Sequence, residues 1–477
     1  MSAVEDQDSL YQDWKKLYPR YQRGFFRNVR WALLVILLGI YYLMPMLRWE
    51  RPGNLPDQAI LFDLPARKFY IFDLVIWPQE IFLLSVLLFV ATIALFFVTA
   101  LAGRVFCGYF CFQTVWTDLY IYVEKLFEGN RKKRMKLDEM PWTGRKWLIK
   151  LSKHFTWLVI GVLTGGVFVF YFADAPTLMG QFLDGTAPFP AWFTMGFLAL
   201  TTYTMAGFAR EQVCIYMCPY ARFQGAMFDE DTIIIAYHDE LGEPRESSRR
   251  VRNDNPKDVG WCIDCNECVT VCPTGIDIRD GQQYQCITCG MCIDACDDVM
   301  ASLAKEGEEA PPRLIRYTSL GEIKGQQPRF LRTRVLIYAA LMAVGIAAMV
   351  GYFMVRDSTD LNVIKHRQPV YIMQSDGSIQ NNYTIRILNM TSGPQRYVIS
   401  MEGLKDSSLR ADSASGYDEK GNPIFDVGPG KVLPYKLFVK QARKSIEAGS
   451  QEIVFTLTAE DPEAGIGSYT SVFMRPE

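Results

Sequence analysis

Five long apolar runs alternate with polar stretches along the chain. They occupy residues 31–47, 81–105, 155–173, 191–208 and 335–355. A helix needs about 20 mainly apolar residues to cross a bilayer, so each run predicts a transmembrane helix. The fourth run is the least apolar, because Thr201, Thr202 and Thr204 interrupt it.

The last part of the chain shows a different pattern. Short runs there alternate apolar and polar side chains, as strands with one buried face do. These runs lie at 370–373, 383–388, 396–400, 433–439 and 453–457. Turn-forming pairs at Asp376-Gly377 and Gly421-Asn422 separate some of them. Several short strands in succession predict a β-sandwich over residues 356–477.

Positive charge is unevenly distributed between the loops that join the predicted helices. The loop after the second run is basic, with Arg131-Lys132-Lys133-Arg134 in it, whereas residues 174–190 contain no Lys or Arg. Basic loops of membrane proteins remain in the cytoplasm. We therefore predict a multi-pass protein of the bacterial inner membrane, with its N-terminus in the cytoplasm and its C-terminal domain in the periplasm.

The predicted chain thus has five parts. They are a basic cytoplasmic N-terminus (1–30), four transmembrane helices with their loops (31–212), a cytoplasmic region (213–334), a fifth transmembrane helix (335–355) and a periplasmic domain (356–477). Apolar residues make up 49% of the 477 residues, which fits membrane segments that alternate with polar domains. The formal net charge of −2 indicates no particular partner, and we expect no nucleic acid among the ligands.

Small residues recur at every fourth position in two of the apolar runs. The fifth run has Ala339, Ala343, Ala347 and Gly351, and the third has Gly161 and Gly165. Such a smooth face lets two helices approach closely. Packing within one bundle and contact between the subunits of a homodimer both explain the pattern.

Eight of the twelve cysteines form two copies of a C-x2-C-x2-C-x3-C motif, within a core of residues 255–305. This is the spacing of a bacterial ferredoxin with two [4Fe–4S] clusters, in which each motif donates its fourth thiolate to the other cluster. One cluster is therefore predicted on Cys262, Cys265, Cys268 and Cys296. The other is predicted on Cys286, Cys289, Cys292 and Cys272. A pair of zinc sites is the alternative for C-x2-C pairs, although eight cysteines in this register disfavour it.

The other four cysteines form two C-x3-C motifs, one after the second apolar run and one after the fourth. We name them the membrane-edge cysteines: Cys107, Cys111, Cys214 and Cys218. On a helix this spacing places both sulfurs on one face, so the two pairs could converge on one metal. Soft thiolates favour Cu(I), zinc or an additional iron–sulfur cluster. A redox dithiol or small buried side chains are the other interpretations.

The remaining residues exclude several other redox cofactors. The chain has three histidines, of which only His154 lies near an apolar run, so paired axial ligands for a membrane haem are missing. No C-x-x-C-H motif for c-type haem is present, and no G-x-G-x-x-G opens a helix. Sulfur-ligated metals are therefore the electron carriers that the sequence supports.

Taken together, these features resemble the CcoG (FixG/RdxA-type) family of cytochrome c oxidase accessory proteins. Besides the cysteines, the likeness includes Ile-Trp-Pro-Gln-Glu at 76–80, Arg-Leu-Ile-Arg-Tyr at 313–317, and His-Arg-Gln-Pro at 366–369. The resemblance implies an Ig-like C-terminal domain and a role in reducing Cu(II) to Cu(I) for cbb3-type oxidase assembly. Looser relatives often have Pro after each motif, but Phe112 follows Cys111 here and Asp297 follows Cys296.

The leading hypothesis is thus a membrane-bound cupric reductase with an unidentified cytoplasmic electron donor and oxidase assembly factors as partners. One alternative is an electron relay to a membrane partner without a metal substrate. Another is a scaffold for oxidase assembly in which the clusters are structural.

Overall fold

Two structural units make up the chain, and each is described by itself. One unit comprises Met1–Leu47 and Gln58–Ala347, and the other comprises Arg48–Asp57 and Ala348–Glu477. The computed structural model describes residues 16–51, 55–246, 259–303, 312–391, 393–445, 449–461 and 465–476.

Helices dominate the first unit. In chain order, the helices of the described residues are α1 (Phe25–Leu43), α2 (Phe82–Ala102), α3 (Val105–Tyr109), α4 (Phe112–Glu128), α5 (Arg131–Glu139), α6 (Gly144–Phe170), α7 (Ala175–Asp184), α8 (Phe189–Thr204), α9 (Pro219–Met227), α10 (Asp239–Gly242), α11 (Glu267–Thr270), α12 (Met291–Leu303), α13 (Leu320–Ile323) and α14 (Thr333–Val355).

Four helical segments of the described residues are long and apolar enough to cross a membrane. They are Phe25–Met46, Pro78–Ala102, Gly144–Phe170 and Thr333–Val355, and they confirm four of the five predicted runs as apolar helices. The remaining run, 191–208, is α8, which has 16 residues and continues into the π-helical turn Met205–Ala209. The total number of transmembrane segments and their sidedness stay predictions.

The predicted bounds of two helices are wrong for identifiable reasons. The third begins at Gly144 instead of 155, because the Thr143 side chain accepts a hydrogen bond from the backbone N–H of Lys146 and so caps an earlier, basic turn. The second ends at Ala102 instead of 105, because Gly103 adopts a φ of 54° there. A positive φ interrupts the helix and favours glycine.

Close packing between α6 and α8 explains the glycines of the third run. A Cβ atom on Gly161 would lie 2.9 Å from the carbonyl oxygen of Ala199, and Gly165 similarly lies against the backbone of Met195. These glycines therefore serve packing within the bundle. On α14, a Cβ atom on Gly351 would meet nothing within 4 Å, so packing against the described residues does not explain that glycine. A homodimer contact stays a prediction.

Two small sheets lie in the first unit, and neither is predicted from the sequence. Strands β1 (Ile60–Asp63), β2 (Lys68–Ile71) and β3 (Leu74–Ile76) form an antiparallel sheet between α1 and α2. Strand β4 (Ile234–Tyr237) pairs with β5 (Ile315–Thr318) across the cysteine-rich region. This pair packs with the region's buried residues, among them Ile235, Ile293 and Leu314.

The second unit contains a sandwich of two five-stranded sheets, as predicted. One sheet has the order β10-β13-β8-β6 with β7 on β8, and the other has the order β11-β12-β9-β14-β15. Tyr383, Phe425 and Phe455 are fully buried between the sheets. The strands are β6 (Thr359–Lys365), β7 (Ile372–Met373), β8 (Ile379–Asn389), β9 (Gln395–Glu402), β10 (Ser407–Ala411), β11 (Gly416–Tyr417), β12 (Pro423–Val427), β13 (Val432–Gln441), β14 (Ser450–Ala459) and β15 (Ile466–Met474).

Candidate metal centres

The structure brings together the four thiols of the first predicted cluster. Cys268 lies on α11, the loop before it carries two more cysteines, and Cys296 lies on α12. Burial raises the pKa of Cys296 to about 12, and the charges of Cys268, Cys262 and Cys265 contribute to that shift. Asp264 and Asn266 turn the loop with φ values of 49° and 56°. Cys296 of the second motif therefore lies with the thiols of the first, which is the arrangement that the ferredoxin spacing predicts.

The second predicted set surrounds a small cavity. Its lining includes Cys272, Cys286, Cys289 and Cys292. Burial raises the pKa of Cys286 to about 12, and the charges of Cys289 and Cys272 add to that shift. Cys272 thus lies with the thiols of the other motif, which reproduces the crossed arrangement a second time.

The donor set fits a cubane better than a single ion. All twelve cysteines are free thiols. Within the described residues, no three His, Cys, Asp or Glu side chains are close enough together to hold one metal ion. A cubane needs one thiolate for each of its four irons, and each set supplies four cysteines. The spacing of the eight cysteines along the sequence, and not this geometry, disfavours the zinc alternative.

The membrane-edge cysteines also lie near one another. Burial raises the pKa of Cys214 to about 12, with contributions from the charges of Cys111, Cys107 and Cys218. The prediction that each pair shares one face of a helix is nevertheless wrong. Cys111 and Cys218 have extended backbones, with ψ angles of 126° and 111°, and they precede α4 and α9.

The two membrane-edge motifs therefore repeat one local structure. In each, the second cysteine is the residue before a new helix. Pro219 occupies the first position of α9, where proline is well tolerated, and Phe112 occupies that position in α4. The missing proline after Cys111 consequently leaves the turn intact.

Cys107 directly adjoins the second ferredoxin loop. It shares one apolar cluster with Ile287, Cys289 and Met291. The Tyr109 hydroxyl donates a hydrogen bond of 3.2 Å to the carbonyl oxygen of Cys289. No local sequence pattern marks this particular hydrogen bond, because the two residues are 180 positions apart.

Tyr317 strengthens the same junction. Its hydroxyl donates a 2.8 Å hydrogen bond to the carbonyl oxygen of Thr288 and lies 3.0 Å from the Tyr109 hydroxyl. Burial holds the pKa of Tyr317 far above its ordinary value, so the hydroxyl keeps its proton. The only sequence signal for this role is the position of Tyr317 at the end of the 313–317 motif.

Gly108 offers a direct test of the junction. A Cβ atom there would lie 2.6 Å from the carbonyl oxygen of Ile287, which belongs to backbone and cannot rotate away. We expect Gly108→Ala to push the membrane-edge turn away from the ferredoxin loop and to destabilise this junction by about 1–3 kcal/mol, as overpacking of a close contact does. Thermal unfolding followed by circular dichroism measures this loss.

Gly225→Ala is the matched control for this substitution. A Cβ atom on Gly225 would meet nothing within 4 Å, although the residue lies on α9 close to Cys218. An unchanged unfolding temperature in Gly108→Ala would contradict the close contact at this junction.

A buried charge network includes Arg210, four residues before Cys214. Glu124 forms salt bridges with Arg210 at 2.6 Å, Arg134 at 3.1 Å and Lys153 at 3.6 Å. Burial alone raises the pKa of Glu124, but these three cations outweigh it and hold the pKa below its ordinary value. Arg210 itself has a φ of 37° between the π-helical turns Met205–Ala209 and Val213–Met217. Such strained backbone is common at functional sites.

These features define a membrane-anchored iron–sulfur protein with an Ig-like domain. Sequence models of three protein families match the chain: a 4Fe-4S dicluster domain at residues 209–320, a 4Fe-4S binding domain at 83–134, and an "IG-like fold at C-terminal of FixG" at 349–476. The chain belongs to the FixG/RdxA-type family of iron–sulfur oxidoreductases.

Three relatives establish that membership. The nitrogen fixation protein FixG of Rhizobium meliloti is 40% identical, over 97% of this chain and 93% of that protein. Protein RdxA of Cereibacter sphaeroides is 44% identical over 86% of this chain and 87% of that protein. Protein RdxB of the same organism is 43% identical over 96% and 95%, respectively. The resemblance predicted from the sequence is confirmed.

Proposed function

We propose that the protein is a membrane-bound cupric reductase that converts Cu(II) to Cu(I) for delivery to, and assembly of, a cbb3-type cytochrome c oxidase. Copper is the substrate, and the membrane-edge cysteines are its binding site. Soft thiolates favour Cu(I) over harder ions. The observation that supports this most is the apolar cluster shared by Cys107 and Cys289, in which a membrane-edge cysteine adjoins a cysteine of the ferredoxin loop.

The eight ferredoxin cysteines would hold two [4Fe–4S] clusters in the crossed arrangement. When bound, the clusters supply single electrons, and Cu(II) requires one electron to become Cu(I). The chain itself keeps water away from the second set, since Cys289 is only 7% exposed, and Gly108 permits close approach of the membrane-edge turn. All four membrane-edge thiolates would serve as soft ligands for the Cu(I) product.

The proposal also assigns each domain to one side of the membrane and to a partner there. The ferredoxin region would face the cytoplasm and receive electrons from an unidentified cytoplasmic donor. Residues 356–477 would face the periplasm and contact oxidase assembly factors.

A specific observation favours a second candidate function. The 4Fe-4S binding domain matched at 83–134 contains Cys107 and Cys111 but none of the ferredoxin cysteines. In this alternative the membrane-edge cysteines hold a further cluster, and the protein relays electrons to a membrane partner without a metal substrate.

An anaerobic titration distinguishes the two functions. The purified protein is reduced with dithionite, freed of excess reductant and titrated with Cu(II), while cluster absorbance and Cu(I) formation are followed together. The reductase predicts stoichiometric cluster oxidation with matching Cu(I). Clusters that stay reduced in the presence of Cu(II) would exclude direct transfer and favour the relay.

A further inference from the structure

A cavity of 320 Å³ lies beside the start of α6 and has no role in the function described so far. Its volume is within the range of small-molecule sites. Aromatic side chains form much of its wall, namely Trp142, Trp157 and Phe208. The exposed indoles of Trp142 and Trp147 mark the end of an apolar helix, where tryptophans favour the boundary between lipid and water. The cavity therefore lies where a lipid-soluble ligand can enter.

The cations of the wall are already paired with carboxylates. Lys153 binds Glu128 at 2.9 Å, Lys150 binds the same carboxylate at 2.8 Å, and Arg210 binds Glu124 at 2.6 Å. An anionic head group would need cations that are not engaged by carboxylates. The cavity therefore suits a neutral ring better than a phosphate.

Two other polar side chains remain for a ligand. The Tyr203 hydroxyl lies 3.0 Å from His154 Nδ1, and the described residues give Nε2 no hydrogen-bond partner. The His154 ring stacks on Phe208 with their centroids 5.8 Å apart, at an interplanar angle of 12°. Glu211 is only 8% exposed and forms no salt bridge with any residue that the structure describes. Burial raises the pKa of its carboxyl.

The wall is also close to the membrane-edge cysteines. Glu211 precedes Cys214 by three residues, so their Cα atoms are at most about 11 Å apart, given 3.8 Å per residue. Three further wall residues, Gly207, Phe208 and Arg210, come from the strained segment before Cys214.

We propose that this cavity binds the ring of a membrane quinol and that His154 and Glu211 accept its two protons. A quinol has a flat ring that stacks on aromatic side chains and two hydroxyl groups at opposite ends. Its oxidation to the quinone breaks two O–H bonds and releases two electrons and two protons. The protons pass to His154 Nε2 and the Glu211 carboxylate. The two electrons would be accepted by the two [4Fe–4S] clusters that the ferredoxin cysteines would hold, so this inference rests on the clusters of the proposed function, with a membrane quinol in place of the cytoplasmic donor.

Binding is tested without any redox step. The full-length protein in nanodiscs is titrated with the fluorescent quinol analogue 2-heptyl-4-hydroxyquinoline N-oxide, whose emission is quenched in quinol sites. We expect saturable quenching by the wild type and a dissociation constant about tenfold higher in His154→Gln and in Phe208→Ala. Phe197→Ala changes an exposed ring of α8 outside the cavity and should bind like the wild type. Absent quenching, or equal affinity in all variants, would overturn the site.

Electron entry is tested with decylubiquinol and menadiol, which represent the two common classes of membrane quinol. Either one should bleach the cluster absorbance anaerobically. Glu211→Gln should slow this about tenfold while leaving dithionite reduction unchanged, because it removes a proton acceptor but no cluster ligand. Clusters that dithionite reduces but neither quinol does would overturn the inference. If these dithionite-reduced clusters still reduce Cu(II), the proposed function stands without the quinol site. If quinol reduces the clusters but the reduced clusters fail to react with Cu(II), the quinol site stands and the proposed cupric reductase is wrong.

Discussion

Replacing Cys272 with alanine is expected to eliminate the cluster of the second motif, although Cys272 belongs to the first. Its thiol lines the same cavity as Cys286, Cys289 and Cys292. Burial raises the pKa of Cys292 well above its ordinary value, and its three cavity neighbours contribute to the shift. Without Cys272 one iron of that cubane loses its thiolate. Iron and acid-labile sulfide should therefore fall to about half, the share of one of two clusters.

Double variants identify which cluster is lost. Adding Cys286→Ala to Cys272→Ala should remove no more iron, because both thiols serve one cluster. Adding Cys262→Ala should remove the rest, because that thiol serves the other cluster. The reverse pattern would show that each motif keeps its own fourth cysteine. Circular dichroism in the far ultraviolet would confirm that each variant retains its helices.

Cysteine spacing alone predicted this crossed arrangement, for a physical reason. A cubane demands thiolates from several directions, and a single C-x2-C-x2-C loop provides three of them. The fourth must come from elsewhere, and Cys272 and Cys296 occupy equivalent positions in the two motifs. The sequence therefore predicts one specific ligand set, which the iron content of these variants tests.

The membrane-edge cysteines show the limit of the same reasoning. Their spacing of four residues suggested one helical face, but Cys111 and Cys218 end one helical segment and begin another. Local spacing cannot reveal a break that tertiary contacts impose. One such contact is the approach of Gly108 to the carbonyl oxygen of Ile287, which no local pattern indicates.

Helix bounds failed for a related reason. The third apolar run was predicted to begin at 155 because Lys146, Lys150 and Lys153 precede it, yet all three lie within α6. Carboxylates of α4 and α5 pair with two of these side chains, since Lys150 binds Asp138 and Lys153 binds Glu128. A charged turn can therefore belong to an apolar helix when its partners come from distant sequence.

Replacing Cys214 and Cys218 together with serine should abolish copper binding at the membrane edge. Serine preserves the size of each side chain but removes the soft thiolate that Cu(I) prefers. Loss of a residue that only hydrogen-bonds to a metal ligand lowers metal affinity about 10- to 100-fold. We therefore expect loss of two ligands to lower the affinity for Cu(I) more than about 100-fold. Competition with a Cu(I) chelator measures this affinity. Phe223→Ala, an exposed change on the helix that follows Cys218, should leave it unchanged.

Iron analysis of the same double variant decides between the two proposed functions. A copper site contains no iron, so the reductase predicts an unchanged iron content together with lost copper reduction. A further cluster on the membrane-edge cysteines predicts that iron falls by about a third, the share of one cluster in three. If the variant keeps its iron and also binds and reduces copper normally, the site assignment is wrong. Copper must then bind away from all four membrane-edge cysteines, because Cys107 and Cys111 alone would give a weaker site than the wild type.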